Sequence, residues 1–311
     1  MFSMLRKIKK KNGTDFYLFG KKIFRKRIST HTILKELNKD FDGMCKLFHT
    51  TLEPKDIKPA RGILRDIQLS ALKILKEIDR VAKENNISYW VDYGTLLGAV
   101  RHDGFIPWDD DIDISMPRDD YEKFVDLFNE KTKDPNLKAI LYKDQVEQIL
   151  IKVAHKDAPQ LMFVDIFPVD FCYKKMDDTE KLEFSNKLKN LAKDCRKHKS
   201  ELKNKYNYCL NLRDKKIDNL KPDSNIKPTI FYGLEFYHTM HPYNCFDYDT
   251  IFPLKSINFE GCDFSCVNDE DLYLTMIFGD YMNLPQRLHY HNNVNDIDIK
   301  DVLSIKRYAK S

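Results

Sequence analysis

The sequence predicts an α/β (α+β) fold in which a mixed β-sheet is flanked by helices. Apolar residues recur at helical spacing from 63 to 86, with Lys, Glu and Asp between them. The runs 88–93 and 161–170 are short and rich in β-branched and aromatic residues, which is typical of strands. A second helix is predicted from Leu96 to Arg101. Helices and strands therefore alternate along the first half of the chain.

Whole-chain composition excludes several classes of protein. The chain has 311 residues, enough for one large domain or two small ones. Hydrophobic residues make up 42% and charged residues 32%, which excludes a wholly disordered protein. The net charge of +4 is modest, so we expect no nucleic-acid partner. No apolar run approaches the roughly 20 residues of a membrane span.

Cysteine usage bears on the compartment. There are seven cysteines, an odd number, and none forms a C-x-x-C pair. The Lys-rich start of the sequence lacks the apolar stretch of a secretory signal. We therefore expect the reducing cytoplasm, at the inner face of a membrane if the N-terminus binds lipid.

The segment 108–114 contains four aspartates in seven residues. In an extended strand Asp109, Asp111 and Asp113 would share one face, while the two isoleucines point into the core. Such like charges repel one another unless a cation neutralises them. Oxygen ligands favour Mg²⁺ or Mn²⁺. The alternative is an acidic turn that merely precedes a strand.

A Gly-Thr pair, Gly94 and Thr95, lies between the predicted strand and the second helix. Glycine there lets a phosphate approach backbone N–H groups, and a helix N-terminus favours negative charge. Arg101 and Lys152 are the nearest cationic candidates for a diphosphate, Arg101 being preferred. Alone, the Gly-Thr pair would be an ordinary turn, and Lys152 could equally be a solvated side chain alternating out of a strand.

Asp165 is an acidic residue inside the apolar run 161–170. A buried carboxylate without a partner is costly, and a metal shared with the other aspartates would be one such partner. The alternative is that Asp165 caps a turn near Pro168.

These segments together resemble the LicD family, phosphotransferases on a nucleotidyltransferase fold that are related to fukutin and fukutin-related protein. The resemblance rests on 93–101, 105–114 and 164–170, with a second block at 259–261 and 278–285. Two residues depart from the family pattern, Phe278 where Tyr is expected and Asn268 where Pro is. Both lie in the C-terminal part of the match, so they bear on acceptor fit more than on a metal centre.

The resemblance implies transfer of a phospho-alcohol from a CDP-activated donor to a hydroxyl of a glycan or lipid-linked glycan acceptor. The glycan would be a lipopolysaccharide, a capsule or a teichoic acid. Phosphocholine is favoured as the transferred group, with glycerol phosphate and ribitol phosphate as alternatives. Aromatic residues that could surround choline are abundant and decide little: Tyr89, Trp90, Tyr93, Trp108, Tyr232 and Tyr237.

The same resemblance assigns roles to the site residues. Mg²⁺ or Mn²⁺ would be held by Asp109, Asp111, Asp113 and Asp165, with Asp111 and Asp113 as the bridging pair. Asp165 is the preferred base for the acceptor hydroxyl. The donor phosphates would be bound by the Gly-Thr pair and the two cations named above. The rival functions are a nucleotidyltransferase that uses an NTP and a degenerate family member that serves as a scaffold.

The predicted organisation has four parts. Residues 1–60 form a basic leader, whose Lys and Arg clusters flank aromatic residues and suit an anionic membrane surface or a solvated tail. A catalytic core covers 61–172, and a basic helical insertion covers 173–228. A helical C-terminal portion at 229–311 completes the domain, and its aromatic stretch 230–237 is expected in the core rather than in a pocket.

Overall fold

The structure is a computed structural model that describes residues 5–10, 13–18, 21–24, 43, 51–237, 245–284 and 297–311. Residues 1–52 and 53–311 form two compact units. In the first, β1 (Leu5–Lys10), β2 (Gly13–Leu18) and β3 (Lys21–Phe24) form an antiparallel sheet. The expected basic and aromatic surface of this leader concerns side chains outside the described set, so its membrane contact stays a prediction.

The second unit contains all the predicted site residues. Its first half runs, in chain order, through a 3₁₀ turn (Pro54–Asp56), α1 (Ile63–Glu84), β4 (Trp90–Val91), α2 (Tyr93–His102), β5 (Asp113–Pro117), α3 (Arg118–Lys131), β6 (Leu137–Lys143), β7 (Ile149–His155) and β8 (Phe163–Cys172). Its second half comprises α4 (Asp178–Lys197), α5 (Leu202–Lys216), β9 (Thr229–Tyr232), β10 (Cys245–Asp247), α6 (Tyr248–Ile251), β11 (Lys255–Phe259), β12 (Cys262–Cys266), α7 (Glu270–Phe278) and α8 (Ile299–Lys310).

β8 is the central strand of a seven-stranded mixed sheet. It pairs in parallel with β5 along one edge. Along its other edge it pairs antiparallel with β7 near its start and with β9 near its end. β4, β6 and β10 extend the sheet outward. The predicted mixed sheet flanked by helices is thus confirmed.

α1 confirms the helix predicted from apolar periodicity. Its apolar stripe is fully buried and packs on β7, β8, α3 and α8. The helix ends at Asn85, whose side chain donates to the carbonyl of Val81 at 2.8 Å. Asn86 then adopts a left-handed φ of 54°, which reverses the chain into β4.

The predicted insertion is a helical hairpin, α4 and α5, that connects the adjacent strands β8 and β9. In its described residues, the C-terminal portion contains helices, as expected, and also four strands that were not predicted. Because β9 and β10 belong to the same sheet as β8, the boundaries predicted at 172 and 228 mark the ends of strands. Within the described residues no helix is long and apolar enough to cross a membrane.

Candidate active site

The acidic segment enters the sheet later than predicted. Only Asp113 belongs to a strand, where it begins β5. The strand prediction is wrong over 108–112, because a turn brings the N–H of Asp109 to 2.9 Å from the carbonyl oxygen of Ile106. The segment therefore has an acidic loop, 109–112, followed by an acidic strand end.

The loop brings three carboxylates together. One oxygen from each of Asp109, Asp110 and Asp111 lies within 4.8 Å of the others. Asp110 was missed by the sequence reasoning, because a period-two pattern places it on the opposite face. It is in fact buried, with 5% of its surface exposed. The run of consecutive aspartates was the available signal.

Asp113 begins β5, and it lies beside Asp165, the third residue of the parallel strand β8. They are direct register partners, and neighbouring strands are about 4.8 Å apart. Burial, and then the charges of Asp111, Asp165 and Asp109, raise the pKa of Asp113 well above its ordinary value. The clustered carboxylates oppose each other's ionisation, and a bound divalent cation would relieve this repulsion. The oxygen-only donor set therefore fits Mg²⁺ or Mn²⁺.

Lys152 is the partner that Asp165 requires. Its ammonium lies 2.9 Å from the Asp165 carboxylate, and its backbone is the register partner of Asp165 in β7. Lys152 is 5% exposed and lies over the rings of Phe163 and Tyr142, 3.2 and 4.8 Å from their centroids. The solvated alternative for Lys152 and the turn-cap alternative for Asp165 are both wrong. Burial raises the pKa of Asp165 to about 6, although Lys152 acts in the opposite direction.

The N-terminus of α2 faces the acidic segment. The helix begins at Tyr93, not at Leu96, so Gly94 and Thr95 lie in its first turn. The hydroxyl of Thr95 accepts the Asp113 N–H at 2.8 Å. A Cβ on Gly94 would lie 2.8 Å from Oδ2 of Asp109, so a side chain at this position would force that carboxylate to shift. The helix end and the acidic loop thus approach each other at these two residues.

Asp92 caps this helix and was not identified from the sequence as a site residue. Its fully buried carboxylate accepts the N–H of Tyr93 at 2.7 Å and the hydroxyls of Ser115, Tyr232 and Tyr273. Four donors offset the burial that raises its pKa. An Asp directly before a helix is a typical N-cap, and that was the local signal. Asp92 therefore anchors α2 to β5, β9 and α7.

Arg101 ties α2 to the second motif block. Its Nη1 donates to the carbonyls of Tyr281 and Asn283, at 2.6 and 3.1 Å. Burial lowers the pKa of its guanidinium to about 10. Like Lys152, Arg101 is buried and already engaged by protein groups, so a role for either cation in binding donor phosphate stays a prediction.

Glu260 connects the other half of that block to the loop before the aspartates. Its carboxylate accepts two bonds from Arg65, at 2.9 and 2.5 Å, and the N–H of Phe105 at 3.1 Å. The Glu260 N–H in turn donates to the carbonyl of Asp103 at 3.1 Å. A Cβ on Gly104 would lie 2.5 Å from Oε1 of Glu260. The second block therefore helps to position the loop that leads to the acidic segment.

Aromatic rings fill the space beside Asp113 and Asp165. Tyr93 stacks on Tyr232 with centroids 5.4 Å apart, and Phe167 stacks on Phe236 at 3.9 Å. All four side chains are buried. The expectation that 230–237 lies in the core is confirmed. Of the aromatic candidates for choline, Trp108 is the one that is only half-buried.

This arrangement suits the handling of a phosphorylated substrate with a divalent cation. Carboxylates in the acidic loop and at two strand ends supply oxygen ligands, and the adjacent helix N-terminus supplies positive potential. Phosphoryl transfer depends chiefly on such positioning and charge neutralisation.

Comparisons with known proteins identify related phosphotransferases. A family model described as LicD/FKTN/FKRP, nucleotidyltransferase domain, matches residues 86–204. The chain is 31% identical to the lipopolysaccharide cholinephosphotransferase LicD of Haemophilus influenzae, over 71% of this chain and 92% of that protein. An uncharacterised protein of Rickettsia typhi is 31% identical over 44% of this chain and 46% of its own length. The human ribitol 5-phosphate transferase FKRP is 29% identical over 31% of this chain and 20% of its own length.

Proposed function

The chain belongs to the LicD family and is a phosphotransferase, and on that premise we propose a metal-dependent transfer of a phospho-alcohol from a CDP-activated donor to a glycan hydroxyl. The observation that carries the proposal is the meeting of three elements. The acidic loop 109–112, the paired Asp113 and Asp165, and the first turn of α2 converge on one place.

Phosphocholine is the favoured group, and a lipopolysaccharide is the favoured acceptor. The support is the Haemophilus relative, which is named as a lipopolysaccharide cholinephosphotransferase and matches over 92% of its length. Ribitol phosphate is the alternative, supported by the shorter match to FKRP. Glycerol phosphate, and a capsule or teichoic acid as acceptor, follow from the family resemblance alone. A cytoplasmic location stays a prediction.

Asp109, Asp111, Asp113 and Asp165 would hold Mg²⁺ or Mn²⁺, with Asp110 adjoining them. The bound ion would neutralise donor phosphate and polarise its oxygens. The N–H groups of α2 at Gly94 and Thr95 would bind donor phosphate.

Asp165 would accept the proton of the acceptor hydroxyl. Its ion pair with Lys152 would hold the carboxylate in one orientation. Phosphoryl transfer needs the attacking and leaving oxygens in line. A carboxylate fixed by a buried cation would stay within reach of the attacking hydroxyl in that arrangement.

A nucleotidyltransferase that uses an NTP would share this helix end and these aspartates. The match to the cholinephosphotransferase covers 251 residues and so extends beyond the nucleotidyltransferase domain at 86–204. This longer match favours the CDP-linked donor. Competition of donor turnover by CDP-alcohols and by NTPs separates the two functions.

The direct test is release of CMP from CDP-choline, CDP-glycerol, CDP-ribitol and CDP-ethanolamine, with Mg²⁺ or with EDTA and with a glycan acceptor. We expect CMP from one donor, lost with EDTA and in Asp111→Asn and Asp113→Asn. Asp126→Asn, which changes an exposed carboxylate on α3, is the matched control. Metal-independent release, or equal release by the variants, would refute the proposed site.

A further inference from the structure

The outward face of the C-terminal helix α8 combines large aliphatic side chains with cations. Ile299 and Leu303 are one helical turn apart and are 73% and 58% exposed. Four exposed cations surround or follow them: Lys300, Lys306, Arg307 and Lys310. At 3.6 residues per turn, positions 299, 303, 306 and 310 lie on one face. We call the six side chains of the aliphatic pair and the four cations the α8 outer face.

The opposite face of α8 is fixed to the core. Ile305 is fully buried. The ammonium of Lys73 donates to the carbonyl of Tyr308 at 2.6 Å, and the Tyr308 hydroxyl donates to Asp134 at 3.1 Å. The helix therefore cannot rotate to bury Ile299 and Leu303. Both side chains stay in water, so the protein forgoes the free energy that their burial would contribute.

Charge determines what this face can bind. Of the two acidic residues on this helix and its cap, Asp298 is the N-cap and accepts the N–H of Lys300 at 2.8 Å. Asp301 is half-buried and lies toward the side that carries Ile305. Asp298 is exposed beside Ile299, so the four exposed cations outnumber one exposed carboxylate around the aliphatic pair. Long cationic side chains beside aliphatic ones suit an interface where headgroups meet acyl chains.

We infer that the α8 outer face binds an anionic lipid surface, with Ile299 and Leu303 entering the acyl boundary and the four cations contacting headgroup phosphates. This inference is independent of the proposed activity. It is also independent of the N-terminal leader, which was the membrane contact expected from the sequence.

The test is sedimentation of the purified full chain with vesicles of phosphatidylcholine alone or with added phosphatidylglycerol. We expect partition to favour the anionic vesicles and to fall as salt rises. The double variant Ile299→Gln, Leu303→Gln should lower partition by about 10-fold or more. It removes the aliphatic surface that would enter the lipid, and glutamine still favours the helix. Lys306→Gln with Lys310→Gln should lower it by about 10-fold or more through lost phosphate contacts.

Val146→Gln is the matched control, since Val146 is 62% exposed and lies away from α8. It should bind as the unchanged protein does. Thermal melts of all variants establish that each is folded. Undiminished binding by both α8 double variants would place any lipid contact elsewhere and overturn the inference. So would a change of oligomeric state in the aliphatic variant, which would mean that a second copy covers this face.

Discussion

At the scale of single residues, the ion pair of Lys152 and Asp165 sets the charge at the start of β8. Lys152 satisfies the carboxylate that the sequence left without a protein partner. Asp113, its neighbour across the parallel strands, keeps four carboxylates as its main charged surroundings, Asp111, Asp165, Asp109 and Asp92. Carboxylates therefore oppose one another's ionisation around Asp113, and a divalent cation bound there would relieve that repulsion.

Replacing Lys152 by Met should destabilise the protein strongly, because it leaves the Asp165 carboxylate buried without its cation. We expect a loss of about 3 kcal/mol in the free energy of unfolding. The double variant with Asp165→Asn should lose less than the two single losses added together. Urea unfolding of the four proteins measures this. Strictly additive losses would mean that the two groups do not stabilise each other.

Replacing Gly94 by Ala should impair activity without unfolding the protein. The added Cβ would displace the Asp109 carboxylate, whose Oδ2 lies 2.8 Å away, while alanine favours the helix. We expect donor turnover to fall about 10- to 100-fold, as is typical of misplaced catalytic groups. Melting temperature should stay nearly unchanged. Gly43→Ala is the control, since a Cβ there meets no described atom within 4 Å. Unchanged turnover in Gly94→Ala would contradict the site geometry.

At the scale of elements, the hairpin of β11 and β12 binds the loop that leads to the aspartates and fixes its position. Its turn residues Glu260 and Gly261 both have positive φ, 53° and 74°, which closes the tight reversal. That geometry directs the Glu260 carboxylate to Arg65 and to the N–H of Phe105. A remote hairpin therefore determines where the acidic loop begins.

Glu260→Gln should lower stability by about 1–2 kcal/mol at neutral pH, because it weakens charge-assisted bonds. Burial alone would raise the pKa of Glu260, but the Arg65 bonds outweigh it and lower the pKa. The carboxylate thus stabilises the fold above its unfolded pKa of about 4.3, and that contribution is lost as pH falls through the folded value. The variant's deficit should therefore shrink in acid.

Urea unfolding at several pH values measures this deficit, with Glu122→Gln, an exposed glutamate on α3, as the control. A deficit that stays constant from neutral pH to below pH 4 would contradict the assignment of the effect to the Glu260 charge.

At the scale of the whole molecule, a buried charge cluster joins the sheet to the helical insertion. Arg118 at the start of α3 donates to Asp170 of β8 at 2.9 and 2.7 Å and to Glu235 after β9 at 2.5 Å. Arg213 of α5 donates to Asp170 at 2.7 Å. Two cations and two anions thus balance, which makes their burial tolerable.

Arg118→Met should lower the free energy of unfolding by about 3–5 kcal/mol, because it leaves both anions buried with one cation fewer. Arg213→Met should cost less, about 1–2 kcal/mol, because Arg118 still satisfies Asp170. Lys123→Met, on the exposed side of α3, should change it by at most about 0.5 kcal/mol. Denaturant unfolding gives the order. Equal losses at Arg118 and Lys123 would contradict a structural role for the cluster.

Local sequence patterns predicted those features of the structure that are determined by residues close together in the chain. The periodicity of α1 and the apolar run of β8 concern short segments, and both correspond to observed elements. The clustered aspartates were also a local signal, although only Asp113 lies in a strand. Asp110 was missed because a turn replaced the expected strand alternation. The Arg65–Glu260 contact spans 195 residues and the Asp92–Tyr273 bond spans 181, so no local signal could reveal either. The engagement of Arg101 by distant carbonyls escaped prediction for the same reason.

The proposed function depends on a divalent cation that the aspartates at this site would hold. Its most direct test is a titration of Mn²⁺ into the metal-free protein, followed by the signal of free Mn²⁺ in electron paramagnetic resonance. Saturable binding at or below millimolar concentration is expected, weakened at least about tenfold in Asp111→Asn and Asp113→Asn and unchanged in Asp126→Asn. Absence of saturable binding, or equal binding by all four proteins, would contradict the proposal.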